Sequence, residues 1–107
     1  MKLDWEFGER IQCSEDEKKE CMALVADIVS MATKAKRNGL LSLVQDAEET
    51  SHFLLRKGLQ QVLEGVGPQM VEKTLQYYIL SGKHHGKELL MRCIIMEGVL
   101  AIQNGIN

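Results

Sequence analysis

The chain has 107 residues, enough for one domain around a single core and too few for two. Thirteen Lys and Arg against fifteen Asp and Glu leave a formal charge of −2, which supplies no general basic field for nucleic acid or acidic lipid. With 45% hydrophobic, 26% charged and 5% aromatic residues and one proline, the composition suits an all-α protein and argues against disorder or a β-sandwich.

In chain order, residues 1–13 read as an N-terminal segment ahead of a single helical domain over 14–107. The opening Met-Lys-Leu-Asp-Trp-Glu-Phe-Gly-Glu-Arg is too acidic and too interrupted for the apolar stretch of a signal peptide. Ser14-Glu15-Asp16-Glu17 then writes a helix start. The Ser14 hydroxyl can take the amide three residues on, Glu17 can reach back, and the acidic cluster suits the positive end of the helix dipole. Cys21, Leu24, Ile28, Met31, Ala32 and Ala35 follow at three- and four-residue steps, predicting an amphipathic helix from Glu15 to Arg37. Asn38-Gly39 closes it in the manner of a left-handed cap, with Lys34, Lys36 and Arg37 beside the negative end of the dipole.

Leu40 to Glu49 reads as a short helix of three turns, and Thr50-Ser51 as the cap of the next. That next helix carries Leu55, Leu59, Val62 and Leu63 inward, with Arg56, Lys57, Gln60, Gln61 and Glu64 outside. Gly65-Val66-Gly67-Pro68 breaks the pattern. Pro68 suits a first helical turn, after which Val71, Leu75, Tyr78 and Ile79 form the buried side. Ser81 to Gly86 is a second, polar breaker.

The last segment, Lys87 to Gln103, is apolar almost all the way round and should be buried on several sides. It is read as the central helix of a bundle of four or five, with Met91, Ile95 and Val99 as self-association residues of a homo-oligomer. Its most apolar run, Leu89 to Ile102, carries Arg92 and Glu97 and so does not read as a membrane span. A cytoplasmic protein without membrane insertion is the expectation.

Chemistry is sparsely written. His84-His85 with Glu88 and Cys93 has ligand-type residues but no third ligand at fixed spacing, so no metal or other cofactor is expected. Cys13, Cys21 and Cys93 are an odd number without paired spacing. A thiol with His52 could be assembled on paper, but Cys21 and Cys93 lie on apolar stripes. Gly65 and Gly67 follow no strand and precede no Lys-Ser or Lys-Thr, so a phosphate loop is not indicated. No catalytic residues are assigned. The basic pairs Lys36-Arg37 and Arg56-Lys57 are the candidate docking residues for a protein with an acidic surface.

Ala35-Lys36-Arg37-Asn38-Gly39-Leu40-Leu41-Ser42-Leu43 resembles the start of the cytoplasmic region of MotA-type flagellar stator proteins. The likeness continues in order through Phe53-Leu54-Leu55-Arg56-Lys57-Gly58-Leu59-Gln60, Pro68-Gln69-Met70-Val71 and the stretch from Glu97 to Asn107. The two membrane hairpins of that family are missing, the second replaced by Ser81 to Gly86, so the chain looks like two cytoplasmic halves joined directly. The resemblance implies a non-catalytic interaction module, with Lys36 at the family's basic rotor-facing position and a motor component as its partner. The acidic position falls on Val44, and Asp46 is displaced by two residues, so torque generation is not implied. A small-ligand-binding or sensory helical domain, with a pocket lined by Met and Tyr77 or Tyr78, is the second reading.

Overall fold

A computed structural model describes residues 1–105, and within these every regular element is helical. Six α-helices follow in order: α1 (Trp5–Arg10), α2 (Glu15–Asn38), α3 (Val44–Glu49), α4 (Phe53–Leu63), α5 (Pro68–Leu80) and α6 (Gly86–Asn104). A single turn of 3-10 helix, Leu40–Leu43, joins α2 to α3. The all-α fold with a central last helix is as the sequence predicts, since α6 packs against α2, α4 and α5 together. The helix count exceeds the expected four or five because the six-residue α1 lies below the length at which periodicity is legible, and the helix expected over Leu40 to Glu49 forms instead as the 3-10 turn followed by the six-residue α3. Within residues 1–13, Phe7 and Ile11 pack against the common core.

Local chemistry accounts for most helix ends. Ser14 Oγ accepts from the Glu17 amide at 3.1 Å while Glu17 Oε1 accepts from the Ser14 amide at 2.9 Å, a complete capping box. Asp4 caps α1 by accepting from the Phe7 amide at 2.9 Å. Pro68 opens α5 where its missing amide costs no hydrogen bond. Gly39 closes α2 at φ 88°, the sign expected of it, but with ψ 164°. That is an extended conformation essentially confined to glycine, not the left-handed helical one, and it turns the chain sharply into the 3-10 turn.

The α4 start departs from expectation. Thr50 Oγ1 accepts from the His52 amide, and it is His52 that caps the helix, its Nδ1 accepting from the Leu54 amide at 3.1 Å.

The core runs along α6. Leu89, Ile95, Met96, Val99 and Ile102 are buried from that helix, joined by Leu54, Leu55, Leu59 and Val62 of α4 and Val71, Leu75 and Ile79 of α5. Helices α2 and α6 run in the same direction, since Glu20 meets Lys87 at 3.3 Å and Ile28 lies against Gly98 further along. A Cβ at Gly98 would stand 2.5 Å from Cγ2 of Ile28, so the glycine is what allows this approach.

One expectation is corrected here. Ile95 and Val99, read as self-association residues, are both 0% exposed within the chain's own core. They present nothing to a second copy. Helix α6 satisfies its several apolar faces within one chain, because three helices surround it.

Candidate interaction surfaces

The corner from α2 to α3 is built by alternation within one tight turn. In a 3-10 turn residues three apart eclipse one another, so Leu40 shares a side with Leu43, and Leu41 with Val44. Leu43 is fully buried and anchors the turn in the core, whereas Leu41 is 76% exposed and Val44 lies exposed beside it. Ser42 stiffens the turn, its amide and hydroxyl both donating to the Gly39 carbonyl at 3.1 and 2.7 Å. An apolar projection is thereby held out from a rigid base.

The three cations ending α2 differ in their employment. Lys34 reaches across to α3 and pairs with Asp46, which ties the corner shut from inside. Lys36 and Arg37 are exposed and make no ion pair among the described residues. They stand next to Leu40 and Leu41 in the chain and add positive charge to the same corner. The pair Arg56-Lys57 is less available. Arg56 is half-buried and its guanidinium donates to the Thr50 carbonyl at 3.1 Å, holding the α3–α4 connection; Lys57 is half-buried too.

Sequence reasoning missed a polar cluster between α4 and α6. Glu88 receives Arg92 Nε at 2.6 Å, and Arg92 also donates to the Tyr78 carbonyl at 3.2 Å. His52 Nε2 lies 3.2 Å from Glu88 Oε2 but out of line for a hydrogen bond. The Nδ1 of His52 accepts from a backbone amide, so that nitrogen keeps its lone pair and Nε2 is the one that carries the proton. These 36 residues of separation leave no local trace in the sequence. The cluster joins the start of α4 to α5 and α6.

The other chemistry-bearing residues are dispersed. Glu88 faces His52 in place of His84, whose carbonyl accepts from Arg10 at 3.0 Å. Burial pushes the Cys21 and Cys93 thiols upward from their ordinary range, which disfavours the thiolate a nucleophile needs. Among the described residues no group of three His, Cys, Asp or Glu is arranged to hold a metal ion. None of their helices is long and apolar enough to cross a membrane.

Two grooves flank α2. One, of about 440 Å³, is almost wholly apolar and lies between α2 and α6, lined by Val25, Ile28, Val29, Ala32, Ile94 and Ala101 among others, with Glu97 the charged group at its edge. The second, of similar volume, runs between α2 and the α3–α4 connection and is acidic, with Glu20, Asp27, Asp46 and Glu49. Met91 lines this acidic groove. Tyr77 and Tyr78 form instead an edge-to-face aromatic cluster with Phe53, ring centroids 5.8 and 5.0 Å apart, on the outside of α4 and α5. Of the C-terminal stretch from Glu97 to Asn107, Glu97 to Asn104 belongs to α6, while Ile106 and Asn107 lie outside the described residues. No family model, curated protein or solved structure matches this chain.

Proposed function

We propose that the chain is a non-catalytic protein-interaction module that docks through the α2–α3 corner onto a protein with an acidic surface. The observation that carries this reading is the pairing of two cations free of ion pairs, Lys36 and Arg37, with the outward Leu41 and Val44 on a turn braced from within. A corner of this kind supplies both halves of recognition: a small desolvated apolar centre for affinity, and flanking charge for orientation and association rate. Arg56 and Lys57 take a supporting part at most, since Arg56 already holds the α3–α4 connection.

The sequence resemblance over Ala35 to Leu43 covers the same corner, and it supports a component of the flagellar motor as the partner, with a cytoplasmic, motility-associated role. Val44 in place of an acidic residue makes the contact apolar at that point, which favours static docking over the charge exchange of a torque generator.

The test is binding of purified flagellar rotor proteins to the chain and to the variant Arg37→Glu/Leu41→Ala, with salt varied. Docking predicts affinity that falls as salt rises and is lost in the variant, while thermal unfolding is unchanged because both side chains are exposed. Equal affinity of variant and wild type would overturn the corner as docking surface; no binding of either would overturn the motor assignment.

A further inference from the structure

The apolar groove between α2 and α6 lies at the other side of α2 from the acidic groove, and we propose that it is covered by α2 of a second copy of this chain. In this arrangement the two α2 helices pack antiparallel about a two-fold axis, and Met22 of each copy enters the groove of the other. The face differs from the docking surface at the corner, with which it shares Lys36 alone.

The first observation is the seam. Along α2 the residues at alternating four- and three-residue steps are Glu15, Lys18, Met22, Val25, Val29, Ala32 and Lys36, the repeat that lets one helix track another over its whole length. Met22 and Val29 on this line are 65% and 57% exposed, large side chains that nothing in their own chain covers. The seam runs for roughly 32 Å at the standard helical rise, nearly the full 39 Å length of the molecule.

The second observation is the register. The groove is centred beside Ile28 and Val29 on α2 and beside Gly98 on α6. Its floor holds small residues, Gly98, Ala101 and Ala32, which leave room for a long unbranched side chain. Met22 is the exposed residue of that kind one to two turns away on the same line. Seating Met22 of the second copy over the groove sets Met22 against Val29, and the two-fold axis then requires Val29 against Met22.

That register was chosen on apolar grounds alone, and it carries a charge consequence. Counting outward from the same axis, Glu15 of each copy falls opposite Lys36 of the other. More broadly, the first turn of α2 holds Glu15, Asp16 and Glu17 and the last turn Lys36 and Arg37, so an antiparallel pair places unlike ends together. A parallel pair would set like charges side by side. The occupant that matches both the shape and the charge of this face is therefore the face itself, as an isologous interface demands. Lys36 is shared with the docking corner, whereas Arg37 and Leu41 are not in the seam.

Sedimentation equilibrium of the purified chain, from micromolar to millimolar concentration and without any partner, tests this directly. The wild type should reach a dimer. Met22→Glu, at an exposed position, should leave the helical circular dichroism intact and the chain monomeric. Glu15→Lys alone and Lys36→Glu alone should each weaken the dimer by roughly tenfold or more, since each sets like charges opposite twice over. The double variant Glu15→Lys/Lys36→Glu should recover it, because every contact is again between unlike charges. A wild type that stays monomeric throughout, or a Met22→Glu dimer as tight as the wild type, overturns the interface. Single variants that weaken association without recovery in the double variant overturn the register. Failure here leaves the rotor-binding experiment with Arg37→Glu/Leu41→Ala unaffected.

Discussion

Helices α2 and α4 show two ways of belonging to one core. Helix α2 has 24 residues and buries only Cys21, Ile28 and Ala32, whereas α4 has 11 and buries Leu54, Leu55, Gly58, Leu59 and Val62. The difference is one of neighbours. The short helix is enclosed by α3, α5 and α6, while the long one rests on α6 and the 3-10 turn and keeps most of its circumference in water. Length therefore does not measure a helix's share of stability here. The enclosed helix holds the fold, and the open one carries surfaces.

Four substitutions sharpen that contrast. The largest effect is expected at Leu59→Ala, which removes a fully buried side chain from α4 and should cost about 2 to 5 kcal/mol of unfolding free energy by chemical denaturation. Next comes the hinge between the two regions. Gly39→Ala forces a side chain into a backbone conformation of φ 88° and ψ 164°, and a loss of about 1 to 3 kcal/mol is expected. Crowding is not the cause, since nothing lies within 4 Å of the added carbon. On the open helix, Val29→Ala removes a similar aliphatic side chain from a site 57% exposed, and unfolding of the dilute chain should change by less than about 0.5 kcal/mol. A loss there comparable to that of Leu59→Ala would show that α2 is as enclosed as α4.

The smallest effect belongs to the capping box. The Ser14 amide, followed by its hydroxyl, holds the Glu17 carboxyl below its ordinary value of 4.5. A carboxyl lowered by folding adds stability that is fully present above that ordinary value and is lost as pH falls through the lower folded one. Glu17→Gln keeps a side chain able to bond the Ser14 amide but removes the charge. Wild type should thus exceed the variant slightly in thermal stability at neutral pH, and the two should converge as the solution is acidified. A difference that stays constant with pH would mean the carboxylate charge contributes nothing.

Legibility in the sequence followed the range of the forces involved. The capping box at Ser14, the proline start of α5 and the three- and four-residue steps of α2 are local, and each stands where the residues place it. Thr50-Ser51 offer the usual capping side chains for α4, yet His52 caps it, one residue on, its ring half-buried beside Glu88 of α6. Lys36 and Arg37 were legible as candidate docking charges, and they are exposed. Arg56 looks alike in the sequence, but a carbonyl six residues back in the chain draws it inward, which no helical wheel reveals.

By itself, then, the sequence determined the class of fold, the long helices and most of their ends, because helix propensity, capping and amphipathic spacing act within a few residues. Only the tertiary structure decided which apolar faces are covered. Ile95 and Val99 carry the same kind of apolar side chain as Met22 and Val29, and side-chain type does not separate the two pairs. Enclosure in the common core takes the first two out of solvent, while Met22 and Val29 on the outer face of α2 stay exposed. Burial is set by what lies opposite, and what lies opposite comes from tens of residues away in the chain.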